Sequence, residues 1–159
     1  MARPPYPLEA LRKLRDDQAD AQTRALAEQV ARSADAERLL HERAAARRAQ
    51  AQETRDSLAR VQARLLTSGA SAAELRRVAE FETAMRAQAA LLERAENEAR
   101  KALGAARAAE EQLRQELARR EADAQLVRNH ETSFLERAAE QAARTEEEAA
   151  LEQWNARRR

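Results

Sequence analysis

Leu65-Leu66-Thr67-Ser68-Gly69-Ala70-Ser71-Ala72-Ala73-Glu74-Leu75 decides the fold of this 159-residue chain. Gly69 suits the left-handed position that ends a helix, where a side chain would be strained. Ser71-Ala72-Ala73-Glu74 has the spacing of a capping box: the serine hydroxyl meets the third amide and the glutamate reaches back. A helix stop is thus followed within a few residues by a helix start. On either side the chain is almost free of breakers. From Leu8 to Leu66 there is no Pro or Gly, and from Ala72 to the end only Gly104 intervenes. Gly104 reads as a tolerated interruption, with a close helix crossing or a flexible point as the alternatives. The three prolines lie within the first seven residues, in a leader that cannot be helical.

The spacing therefore predicts an all-α chain. A leader at 1–7 precedes a first helix at 8–67, with Pro7 near its first turn. A turn at 68–71, a second helix at 72–156 and a basic tail at 157–159 follow. At about 1.5 Å per residue the helices are roughly 90 and 125 Å long. Such helices have no place inside a globule of 17.9 kDa. The short turn makes each the other's nearest partner, in an antiparallel coiled-coil hairpin.

Folding about the turn sets residue i opposite roughly 139−i or 140−i. Val61 then meets Val78, Leu58 meets Phe81, Thr54 meets Met85 and Leu26 meets Leu113. Leu14 falls beside Leu126, Leu65 beside Leu75, and Tyr6 beside Phe134. Leu91 and Leu92 fit poorly, opposite Arg48 and Arg47. Many seam positions are alanine, which buries little apolar area but permits close approach and favours helix. The two helices are unequal. From about residue 132 the second overhangs the first, carrying Phe134, Leu135, Leu151 and Trp154 and ending in Arg157-Arg158-Arg159.

Composition excludes several function classes. Alanine forms about a quarter of the chain and aromatic residues only 3%. The 29 basic and 28 acidic residues balance to +1, without the basic excess of a nucleic-acid binder. There is no cysteine. His41 and His130 lie far apart, with no second ligand at metal spacing, and read as solvated helix-face residues. The longest uncharged run, Leu65 to Ala73, is far short of the about 20 residues that span a membrane. No catalytic constellation, phosphate loop or cofactor motif is present. The reading is a non-enzymatic, cofactor-free, cytoplasmic rod, monomeric in isolation.

The two ends carry a resemblance. Tyr6-Pro7-Leu8-Glu9-Ala10-Leu11-Arg12-Lys13-Leu14-Arg15 resembles the opening of the type III secretion central-stalk proteins, of YscO type in injectisomes and FliJ type in flagellar export. Glu152-Gln153-Trp154-Asn155-Ala156-Arg157-Arg158 is similar to the end of that family, and the length and hairpin pattern agree with it over nearly the whole chain. The resemblance implies a rod seated in the pore of a hexameric secretion ATPase, linked to the export gate in the inner membrane, with secretion chaperones as further partners in some members. It makes Tyr6, Leu8, Arg12, Trp154, Arg157 and Arg158 the candidate ATPase contacts. Leu75, Val78 and Phe81, near the turn built on Gly69, Ser71 and Glu74, become the candidate export-gate contacts. The alternative from the same periodicity is a generic structural or adaptor coiled-coil rod.

Overall fold

The computed structural model describes residues 5–69 and 71–158. Two helices, α1 (Glu9–Ser68) and α2 (Ala72–Arg157), make up the fold and pack against each other as a helical hairpin. Neither is apolar enough to cross a membrane.

The turn is built as its residues require. Gly69 has φ +77°, and its N–H donates to the Leu65 carbonyl at 3.1 Å, which closes α1 with a left-handed cap. The Glu74 N–H donates to Ser71 Oγ at 3.3 Å, while the Ser71 N–H and hydroxyl donate to Glu74 Oε2 at 3.0 and 2.8 Å. The capping box is complete. Ala70, within the expected turn, lies outside the described residues, as do residues 1–4 of the leader.

Helix bounds shift by a residue from those expected. The Leu8 carbonyl accepts the first intrahelical bond, from the Arg12 N–H at 2.9 Å, so Leu8 is a half-in cap and Pro7 stands in the turn before it. At the other end Arg157 is helical, and the Arg158 N–H donates to the Asn155 carbonyl at 3.3 Å. Arg157 thus belongs to α2 and Arg158 to the turn that follows it; Arg159 lies outside the described residues.

The chain divides into two compact units, one from 1–27 with 112–159 and one from 28–111. In the first, the less exposed positions of α1 step by 3 and 4 through Arg12, Arg15, Ala19, Gln22 and Leu26. Those of α2 do the same through Leu113, Leu117, Arg120, Ala124, Val127, Glu131 and Phe134. In the second unit the stripe is Gln29, Ser33, Ala36 and Leu40, then Thr54, Leu58, Val61 and Leu65 toward the turn. This alternation is the signature of a coiled-coil seam.

Cross-seam bonds verify the register. Tyr6 meets Phe134, Gln22 reaches Leu113, Gln29 reaches Ala106, Glu37 meets Arg107 and Arg47 meets Glu96. The partner of residue i lies between 133−i (Tyr6 with Val127) and 144−i (Glu37 with Arg107), which brackets the expected value. Side-chain reach accounts for the spread.

The seam is more polar than the pattern suggested. Gln29, Ser33, Glu96 and Glu110 are buried, and the Ser33 hydroxyl has no hydrogen-bond partner. Leu14 and Leu126 are both exposed, so the expected Leu14–Leu126 seam pair is off the packed line; Leu75 is likewise exposed beside half-buried Leu65. The misfit of Arg47 resolves at Glu96, whose carboxylate takes Arg47 at 2.9 Å across the seam and Arg100 at 2.6 Å along α2. A Cβ on Gly104 would meet nothing within 4 Å, so no close crossing occurs there.

Candidate interaction surfaces

Tyr6 is the anchor of the N-terminal end. It is only 6% exposed. Its ring centroid lies 5.7 Å from that of Phe134 and 5.8 Å from that of His130. The hydroxyl is 2.9 Å from His130 Nδ1 and 3.4 Å from the Val127 carbonyl. His130 is thus exposed but partnered, rather than simply solvated. The register that sets Tyr6 beside Phe134 places it one helical turn from His130, so the signal was present.

Arg12 is held beside Tyr6 by acids of both helices. Its guanidinium lies 3.3 Å from Glu131, 3.6 Å from Glu9 and 4.0 Å from Asp16. Among the described residues the buried Nε–H has hydrogen-bond geometry to no acceptor, so the Glu131 contact is an ion pair. Asp16 also takes Arg128 at 2.5 Å, and Arg15 lies 3.5 Å from Asp123. Leu8 is exposed beside this cluster.

Trp154, Arg157 and Arg158 are not brought to Tyr6. Twenty residues separate Phe134 from Trp154 along one helix, about 30 Å at ~1.5 Å per residue. The candidate contacts of the open end therefore form two places, not one. The unpaired stretch also starts later than residue 132, since Tyr6 covers Phe134, and Ala138 and Ala142 remain half-buried. From 143 to 158 every residue is exposed. Trp154 is 53% exposed, with the Arg158 guanidinium 4.2 Å from its ring centroid, a cation–π pair.

Near the turn, Val78 and Phe81 of α2 and Val61 of α1 line an open groove of about 220 Å³, rimmed by Arg64, Glu74 and Arg77. Phe81 is half-buried, so it packs and is accessible together. Leu75 is exposed beside it, and Leu66, which sequence reasoning passed over, is 87% exposed. Its signal was present: Leu66 follows seam residue Leu65 and so falls off the seam. A second groove, about 470 Å³, continues along Thr54, Leu58, Met85 and Ala89.

The Glu74 carboxyl is held below its ordinary value, chiefly by the Ser71 N–H and then by the Ser71 hydroxyl. Glu9 is lowered as well, first by its hydrogen bond with Lys13.

A two-helix hairpin with a polar seam, and with apolar side chains exposed on the last turns of α2, defines the class of helical-hairpin proteins. Among the described residues no group of three acidic or histidine side chains could hold a metal ion. The family model described as YscO-like protein matches residues 3–153, nearly the whole chain. The chain belongs to this YscO-like family of type III secretion-associated proteins. No curated protein and no solved structure matches it.

Proposed function

We propose that the chain is the central stalk of a type III secretion export apparatus, cytoplasmic and peripheral to the inner membrane. It links the hexameric secretion ATPase to the export gate and offers its flanks to secretion chaperones. The observation that carries this reading is the bare end of α2. Residues 143–158 are exposed on every side, yet include Leu151 and Trp154. Trp and Arg contribute disproportionately to binding energy in interfaces. The arginines of the last turn lie where the helix dipole favours cations, and they suit acidic side chains lining a pore.

Family membership supports the same reading. Over residues 143–158 α2 runs on bare beyond its packed stretch, so that end is asymmetric and can meet six ring subunits differently. The turn end, with Leu75, Val78 and Phe81, then faces the gate. Tyr6 supports the ATPase end from inside, by fixing α1 on α2.

Truncation after Thr145 tests the assignment. The shortened chain is expected to keep its helical circular dichroism and to lose both stimulation of the cognate ATPase and co-purification with it. Full stimulation by the truncated chain would overturn the proposal.

A further inference from the structure

The exposed end of α2 carries a second pattern. Glu147, Leu151, Trp154 and Arg158 step by 4, 3 and 4, the spacing of a coiled-coil stripe. Leu151 is 61% exposed and Trp154 53%. At about 100° per residue they lie roughly 160° and 140° round the helix from Glu131, which meets Arg12 of α1. The stripe therefore faces away from the line along which α2 packs on α1. It is not unused seam.

Read along the helix, the stripe runs acid, apolar, apolar, base, so it is complementary to its own reverse. In an antiparallel helix pair, a positions meet d positions. A twofold axis passing between Glu152 and Gln153 sets Leu151 against Trp154 of the second copy and Glu147 against Arg158 of the second copy. Each contact then occurs twice, as isologous symmetry requires. A parallel pair would oppose glutamate to glutamate and arginine to arginine. A uniformly acidic or anionic partner would match only the arginine end.

We infer that this segment is a self-association element, through which two copies of the chain pair antiparallel by Glu147, Leu151, Trp154 and Arg158. The paired stretch starts five residues beyond Ala142, which leaves α1 of each copy clear of the other. Arg158 already sits over the Trp154 ring, beside the apolar centre. About three turns of helix bury less than the ~1,200 Å² of stable complexes, so the association is weak and concentration-dependent. It does not rest on the secretion role, because it concerns the chain alone.

Sedimentation equilibrium of the full chain over a concentration series tests it. The unmodified chain is expected to move from monomer toward dimer. Glu147→Arg alone and Arg158→Glu alone each create two like-charge pairs and are expected to weaken association at least tenfold. An equimolar mixture of the two variants makes all four charges attractive and is expected to regain association as a heterodimer. Trp154→Ala is expected to stay monomeric with unchanged circular dichroism. A monomer for the unmodified chain throughout, undiminished association in either charge variant, or failure of the mixture to recover overturns the inference. So does association that survives truncation after Thr145.

Discussion

Gln29 donates from Nε2 to the Ala106 carbonyl at 2.9 Å, from a buried position in the seam. Seven residues earlier Gln22 does the same to the Leu113 carbonyl at 3.4 Å. Each glutamine reaches the backbone of the facing helix, an acceptor that every register offers, so the bond satisfies the buried amide without demanding a particular side chain opposite.

Replacing Gln29 distinguishes adhesion from specificity. Gln29→Ala is expected to lower the unfolding free energy by about 1 kcal/mol, the net worth of an ordinary hydrogen bond. Gln29→Leu is expected to recover that loss through apolar burial. Urea unfolding of both variants checks this; equal destabilisation by the two would show that apolar burial does not replace the amide bond.

The turn is expected to respond to acid through Glu74. A carboxyl lowered in the folded state contributes stability above its unfolded value, near 4.5, and loses it as pH falls through the lower folded value. Glu74→Gln is therefore expected to destabilise the hairpin at pH 7 and to do so less at pH 3. Ser71→Ala, which removes the other half of the box, is expected to cost about 1 kcal/mol at pH 7. Thermal unfolding at the two pH values reads both.

Tyr6 separates packing from contact. Tyr6→Ala empties the space between His130 and Phe134 and is expected to cost about 2–3 kcal/mol. Tyr6→Phe keeps the ring and is expected to cost under about 1 kcal/mol, since exposed His130 can turn to water. Because the ring is buried, Tyr6→Phe is also expected to leave ATPase stimulation unchanged. Loss of stimulation without loss of stability would make the hydroxyl a partner contact.

Phe81 is half-buried in the groove near the turn. If Phe81 serves a partner, Phe81→Ala reduces secretion with little change in melting temperature; if it serves the seam, the two fall together. The open groove beside Val61 and Val78 favours the first outcome. Leu66→Ala is the companion measurement: Leu66 has almost no packing to lose, so a secretion defect there reports contact alone.

Much of the hairpin was legible from local chemistry. The Gly69 stop and the Ser71–Glu74 box are interactions between residues close in sequence, so their identities determine them without reference to the rest of the chain. The 3–4 periodicity and a register centred near 139−i follow from the turn, because two regular helices leaving a short loop have little freedom in how they pair. Charge balance likewise needed no coordinates.

Other features depend on distance and angle across the seam. Arg47 looked like a misfit until Glu96, buried on the other helix, received it. His130 looked solvated until Tyr6 bonded to it, whereas the meeting of Tyr6 with Phe134 was already in the register. Leu14 and Leu126 match in register yet point off the packed line, because register sets height along a helix and not angle around it. The bare stretch from 143 to 158 likewise emerged only once the cover over Phe134 was in place. Sequence determined the helices, their stop and start, and their pairing; tertiary structure decided which charges are buried, where the free end begins and which face it presents. The reason is physical: helix and cap are local minima of the backbone, whereas burial is a property of two surfaces brought together.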